Sequence, residues 1–293
     1  MRILFLSGCF PYPADNGSKI RIYNLLKGLS QYHEVTLLSF SRDDGYQKYI
    51  PELNNLCYKV QVVPWKEYRP TSPRSMIGVL SQTPRSIVDT YSIEMKRYIT
   101  AELRDRPEYN LVIASEVTMA AYHKLFYNFP SMFEDVELGL IYDRYINNKR
   151  PLAKLRLSFS WFKLKRYMTN LLNGFDTCTV VSYKEKGLLS SLISRPKMIN
   201  VIPNCVDLDS YQTILNQPEP NTLIFSGSLR YQANYEAVRY FIEEVLPLIR
   251  RSIPDVRLKI TGQTNNIQLP SMLFNDNIQL LGYVDDVKEI LIF

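Results

Sequence analysis

The stretch from Leu223 to Gly262 constrains this chain more than any other, because its pattern admits one local fold. Leu223-Ile224-Phe225-Ser226 is a short apolar run that stops at Gly227. A loop from Ser228 to Ala233 follows, and Asn234 is placed to cap a helix. Val238, Phe241, Ile242, Val245, Leu246 and Ile249 then recur at the spacing of one helical face. Pro254-Asp255 ends that pattern, and Val256 to Ile260 alternates as a second strand that stops at Gly262. Strand, crossover helix and strand make a right-handed βαβ unit of a parallel sheet. Pro247 sits inside the helical run without a backbone donor, which predicts a kink or a break there.

A second unit of this kind opens the chain, about 220 residues earlier. Ile3-Leu4-Phe5-Leu6 is a buried strand stopped by Ser7-Gly8, and Phe10 to Gly17 is a proline-rich loop. From Ser18 the pattern turns helical, with Ile22, Leu25, Leu26 and Leu29 on one face, and Val35 to Phe40 is the next strand. A loop ending in glycine at a helix N-terminus offers free N–H groups and a partial positive charge, which suits a phosphate. Asn16, Gly17 and Ser18 stand at that place, although a single glycine there also fits a tight turn with no ligand.

Further strands are expected at Cys57 to Pro64, Leu111 to Ser115, Ser131 to Glu137, Asp176 to Ser182, Ile199 to Asn204 and Ile278 to Leu281. Tyr68 to Ser75 reads as a Pro/Ser loop, Lys184 to Leu192 as a helix, Gln217 to Asn221 as a linker, and Asp285 onward as the start of a helix. Ligands of α/β folds bind at the C-terminal edge of a parallel sheet. Ser115, Glu116, Asp135 and Glu137 fall there and are candidates for one side of a ligand cleft; as polar residues they also suit capping of the next helix or solvent.

Composition narrows the class. With 46% hydrophobic and 22% charged residues over 293 positions, the chain is globular and long enough for two domains. Four scattered cysteines, without a CxxC pair or a Cys/His cluster, argue for reduced thiols and against structural zinc or a disulfide framework. The net charge of +6 is uneven. Arg144 to Asn170 carries eight Lys and Arg residues and no acid, interleaved with Leu155, Phe159, Trp161 and Phe162. Such a helix suits an anionic membrane surface or a lipid-linked phosphate, and equally a helix packed on its own domain with its charges in water. No nucleic-acid-binding motif accompanies it. No GxSxG or Cys/His pairing points to a hydrolase, no GxGxxG follows the first strand, and His33 and His123 fit no catalytic pattern, so the catalytic residue stays unassigned.

Four segments carry a family resemblance. "PYPADNGSKIRIYNLLKGLSQYHEVTLLSF" is similar to the N-terminal pattern of the family-4 glycosyltransferases of the GT-B superfamily. "FSGSLRYQANYEAVRYFIEEVLPLIRRSIPDVRLKITG" resembles the opening of their C-terminal domain, in a bacterial polysaccharide-associated branch with Gly-Ser in place of Gly-Arg. "LGYVDDVKEIL" resembles the segment that follows. Pro203-Asn204-Cys205-Val206-Asp207 resembles a Pro-Asn-Gly-Val-Asp segment at the domain crossing, with Cys205 in place of glycine.

The resemblance implies an α/β chain of GT-B type, two Rossmann-like domains facing a cleft. An acceptor-side domain over 1–204 is followed by the start of a donor-binding domain over 205–293. It implies transfer, with retention, from a nucleotide sugar to a saccharide or lipid-linked acceptor in the cytoplasm, peripherally at the inner face of the plasma membrane. The nucleotide sugar is a co-substrate; no cofactor, metal or nucleic acid is implied. Asn16, Gly17 and Ser18 would meet the donor diphosphate, with Gly227, Ser228 and Arg230 in the second domain; Arg230 stands for one member of the family's Arg/Lys pair. The family's E-x(7)-E segment would lie beyond Phe293, so the second domain is expected to be incomplete. The rival expectations are a non-catalytic remnant that binds a partner or membrane, and a GT-B-like sugar-nucleotide epimerase.

Overall fold

Four large apolar residues in a row suit only a strand that is covered on both faces, and the fold supplies that cover. The computed structural model describes residues 1–136, 138, 142, 146, 151–191, 199–208, 219–264 and 276–284. The chain divides into two units, Met1–Val206 and Asp207–Phe293.

The first unit is built on a parallel sheet of seven strands: β1 (Arg2–Ser7), β2 (Glu34–Ser41), β3 (Lys59–Pro64), β4 (Leu111–Ser115), β5 (Ser131–Glu134), β6 (Thr177–Val180) and β7 (Ile199–Val201). Their order is β3-β2-β1-β4-β5-β6-β7, so the strand order reverses beside β1. Ile3 pairs with Val35 on one side and Leu111 on the other.

The helices of this unit are α1 (Gly17–Ser30), α2 (Ile50–Asn54), α3 (Pro73–Leu80), α4 (Arg85–Thr90), α5 (Ile93–Asp105), α6 (Glu116–Ala120), α7 (Pro151–Leu172) and α8 (Tyr183–Ser190). Successive side chains of a strand point to opposite faces. Ile3 and Phe5 accordingly pack with Ile22 and Leu26 of α1 and Leu53 of α2. Leu4 and Leu6 pack with Met95 and Ile99 of α5, Met119 of α6 and Met168 and Leu172 of α7.

In the second unit β8 (Thr222–Ser226), β9 (Arg257–Thr261) and β10 (Ile278–Gly282) form a parallel sheet in the order β10-β9-β8. Between β8 and β9 run α9 (Gln232–Tyr240), a π-helical turn (Phe241–Val245) and α10 (Leu246–Ser252). Val238, Ile242 and Leu246 pack on Leu258 and Ile260, as the helical spacing requires.

The break expected at Pro247 is this π turn: the Leu246 N–H reaches back to the Phe241 carbonyl, five residues away, just before the proline. Asn234 is not the cap. The helix starts two residues earlier, after Tyr231, and the Asn234 side chain donates to the Ser228 carbonyl at 3.0 Å, holding the loop after β8.

Three further boundaries move. The loop expected from Tyr68 ends at Ser72, whose hydroxyl accepts from the Ser75 N–H and caps α3. β5 stops at Glu134, because Asp135 turns to φ 57° and cannot continue a strand. β7 stops at Val201, three residues before Asn204. The basic stretch is helical over Pro151–Leu172; its residues 144, 145 and 147–150, the expected helix from Asp285 and candidate Glu137 lie outside the described residues.

Candidate functional site

Every strand of the first sheet runs the same way, so β1, β4 and β5 all deliver their C-terminal ends to one edge. There Ser7-Gly8, Ser115-Glu116 and Glu134-Asp135 stand side by side. Glu116 (φ 67°) and Asp135 (φ 57°) both adopt the left-handed region, a conformation that costs a non-glycine residue roughly 1–3 kcal/mol. Two adjacent strands thus end in the same uncommon geometry, and strain of this kind collects at functional sites. Gly8 makes the arrangement possible. A Cβ at position 8 would lie 2.3 Å from Glu116 Oε2, so the Glu116 carboxylate rests directly on the glycine backbone.

Glu116 also lines a cavity of about 300 Å³ on this edge. Its wall is formed by the loop after β1 (Cys9, Phe10, Tyr12), the start of α1 (Asn16, Ser18, Lys19), the end of β2 (Arg42, Asp43) and the rings of Tyr46 and Tyr49. Burial, reinforced by the Glu116 charge, pushes the Cys9 thiol up to about 12, so it faces the cavity as a neutral thiol.

The N-terminus of α1 is well made but not fully satisfied. The Asn16 side chain accepts from the Lys19 N–H at 3.2 Å and its carbonyl from the Ile20 N–H at 2.8 Å. The N–H groups of Gly17 and Ser18 find no acceptor among the described residues. Among the described residues nothing lies within 4 Å of where a Cβ of Gly17 would stand, so none of them demands glycine there. That pattern fits a group outside the chain that needs close approach to the backbone.

Behind the edge lies a buried polar network. Arg21 of α1 is 3% exposed and Glu134 is 1% exposed. Arg21 Nε donates to Glu134 Oε1 at 2.6 Å, and the Ser115 hydroxyl donates to Glu134 Oε2 at 2.6 Å. Arg21 Nη1 donates to the Ile202 carbonyl at 2.9 Å and to Asn204 Oδ1 at 3.1 Å. The Asn24 amide donates to the Cys205 carbonyl at 3.2 Å, so α1 clamps the segment that leaves β7. Burial pushes the Glu134 carboxyl up, and Arg21 and Ser115 pull it partly back. Asp135 is also pushed up by burial, against the same Arg21. Cys205 does not adopt a positive φ, so the residue in place of the family's glycine takes ordinary backbone geometry.

In the second unit the loop after β8 presents Gly227, Ser228 and Arg230. The Gly227 N–H donates to the Thr261 carbonyl at 2.9 Å and continues the ladder. Gly262 (φ 128°) backs onto it so closely that a Cβ would meet the Gly227 carbonyl oxygen at 2.4 Å. Ser228 Oγ donates to the Gln263 carbonyl at 3.3 Å and accepts from the Arg230 N–H at 3.3 Å. The exposed Arg230 guanidinium reaches Gln263 Oε1 at 3.4 Å. Two backbones in contact thus fix a loop with one projecting cation.

The structure therefore gathers Asn16, Ser18 and Glu116 around one cavity, groups Gly227, Ser228 and Arg230 in one loop, and sets Asp135 beside Glu116's strand. Ser115 turns inward to Glu134 rather than toward a ligand. Arg21 and Asn204 were not singled out as site residues. The available signal was a basic residue directly beside Ile22 on the apolar face of α1. His123 lies in a 3₁₀ turn against Phe126 and Phe175, its pKa lowered by burial, and neither histidine lines the cavity.

Residues 220–292 match the family model described as glycosyl transferases, group 1. No curated protein matches the chain. Among solved structures, Anabaena HepE in complex with UDP-glucose aligns over 99% of this chain and 71% of its own, at 14% identity and a TM-score of 0.56. A glycosyltransferase from Rickettsia africae aligns over 98% of this chain and 70% of its own, at 12% identity and a TM-score of 0.57. A putative UDP-N-acetylglucosamine 2-epimerase from Listeria monocytogenes aligns over 97% and 69%, at 14% identity and a TM-score of 0.51. At such identities these neighbours establish the fold alone, and the family match lies within the second unit. The second unit thus matches the group 1 glycosyl transferases over residues 220–292, and nearly the whole chain shares the GT-B fold of these solved structures.

Proposed function

We propose that the chain transfers a sugar from a nucleotide-sugar donor to a saccharide or lipid-linked acceptor, with retention, at the cytoplasmic face of the plasma membrane. The observation that carries the reading is the group 1 match, which covers the loop bearing Gly227, Ser228 and Arg230. Glycosyl transfer leaves negative charge on the departing diphosphate, and preorganised donors are the main way to stabilise it. Arg230 supplies a cation in the second unit. In the first, the N–H groups of Gly17 and Ser18 and the positive end of α1 suit a phosphate. Glu116 and Asp135 are carboxyl groups held in fixed, strained positions, and we assign them to orienting the acceptor hydroxyl. The uridine nucleotides bound to HepE make UDP-sugars the first donors to try.

The test is a panel of nucleotide sugars offered with and without saccharide and lipid-linked acceptors. Release of nucleoside diphosphate that depends on an acceptor supports the transferase. Conversion of the donor sugar without any acceptor would favour an epimerase, whose fold this chain shares. Nucleotide binding with no turnover would favour a binding remnant.

A further inference from the structure

Helix α3 is built inside out. Its small residues Ser75 and Gly78 are buried, Gly78 close against Arg85 of α4, while Met76, Ile77, Val79 and Leu80 all face outward. Leu80 is 93% exposed and Ile77 68%. The helix is nonetheless firmly held. Ser72 caps it, and the Ser72 hydroxyl donates to the fully buried Asp89, which also accepts from the Arg69 N–H at 2.8 Å and from Lys66 at 3.1 Å. An ordinary surface helix turns its large apolar face to the core; this one spends its anchoring on keeping that face out.

Helix α7 meets the end of α3 and carries a second exposed apolar stripe. Its core-facing side places Met168 and Leu172 in the interior, and its outer stripe presents Leu155, Phe159 and Phe162 at helical spacing, Phe159 being 66% exposed. Lys163, the neighbour of Phe162, donates to the Gly78 carbonyl at 2.7 Å and to the Val79 carbonyl at 3.3 Å, which ties α7 to the C-terminal end of α3.

The two segments that carry this apolar surface hold charge of one sign. Tyr68 to Ser86 carries three arginines, and Pro151 to Leu172 five Lys and Arg residues, with no Asp or Glu in either span. The exposed Lys154, Lys165 and Arg166 pair with no carboxylate among the described residues. Contiguous apolar surface rimmed by cations is what an anionic bilayer takes: side chains enter the headgroup boundary while the cations meet lipid phosphates.

We propose that α3 and α7 together form the face by which the protein docks on an anionic lipid bilayer, with Ile77, Leu80 and Phe159 inserting. The site needs no turnover, so its test stands apart from the transferase reading.

The experiment is sedimentation of the full chain with vesicles of about 30 mol% phosphatidylglycerol in phosphatidylcholine, compared with phosphatidylcholine alone. Binding to the anionic vesicles at low salt that declines as salt rises is expected. Ile77→Ser/Leu80→Ser, and separately Phe159→Ser on the other helix, should each lower partitioning at least about tenfold at unchanged thermal midpoint. Lys165→Gln/Arg166→Gln should lower it about fivefold per cation and flatten the salt dependence. The proposal is overturned by absence of binding at low salt, by equal binding to uncharged vesicles, or by unchanged binding in both apolar variants. It is equally overturned if the protein is a dimer that Ile77→Ser/Leu80→Ser dissociates, since the face would then meet a second copy.

Discussion

Replacing Arg21 with methionine should destabilise the first unit severely, and the structure sets the scale. Methionine keeps the length and the packing but removes the charge and three hydrogen bonds: to Glu134 at 2.6 Å, to the Ile202 carbonyl at 2.9 Å and to Asn204 at 3.1 Å. Glu134, 1% exposed, is then a buried carboxylate with only the Ser115 hydroxyl facing it. Removing one partner of a buried pair costs about 3–5 kcal/mol, most of it the uncompensated charge left behind. For a unit of this size each kcal/mol moves the thermal midpoint about 2–4 °C, so the variant should melt about 6–20 °C lower. Both tryptophans, Trp65 and Trp161, lie within Met1–Val206, so intrinsic fluorescence reports this unit without interference from the other. The double variant Arg21→Met/Glu134→Leu should melt no lower than Arg21→Met, because it no longer buries an unpaired charge. A single variant within about 1 kcal/mol of the wild type, or a double variant whose losses simply add, would refute the network as described.

Three further outcomes follow from other parts of the molecule. Gly17→Val should weaken binding of a nucleoside diphosphate at least about tenfold while stability stays within about 0.5 kcal/mol, because none of the described residues fills the space its Cβ would take; calorimetric titration and melting check the two halves. Gly262→Ala should destabilise the second unit by at least about 2 kcal/mol, since φ 128° and the Gly227 carbonyl both oppose a Cβ; amide exchange over residues 219–264 reads it. The Arg69 N–H and the Ser72 hydroxyl, then Lys66, hold the Asp89 carboxyl down to about 2. A depressed carboxyl contributes stability that is whole above its unfolded pKa near 4 and is lost as the pH falls through about 2. Asp89→Asn should therefore flatten the stability profile across that window, and an unchanged profile would show that this carboxylate carries none of it.

The strands of the first sheet were legible because both faces are buried, so Ile3 to Leu6 or Val35 to Phe40 read as unbroken apolar runs. Helix α1 and the βαβ unit after Leu223 were legible through spacing and glycine stops. What escaped depends on contacts between distant residues. Arg21 and Glu134 are 113 positions apart, and nothing local marks either as one of a pair. The left-handed turns at Glu116 and Asp135 fall on residues other than glycine, and although aspartate tolerates that conformation it does not by itself mark it, so the strand through Asp135 reads too long. Asn234 looked like a cap because asparagine serves both purposes, and only the fold shows its amide holding Ser228's carbonyl. Helix α3 escaped because Pro70, Ser72, Pro73 and Ser75, at and before its start, suggest a loop, and its apolar residues give no hint that they face outward.

The central claim is that this chain binds a sugar donor through its diphosphate. Calorimetric titration with UDP, GDP and ADP, each against the matching nucleoside, tests it most directly. The account predicts that at least one nucleoside diphosphate binds, that its nucleoside binds far more weakly, and that Arg230→Gln and Gly17→Val each reduce the difference. Binding of no nucleotide, or equal binding of nucleoside and diphosphate, would contradict it.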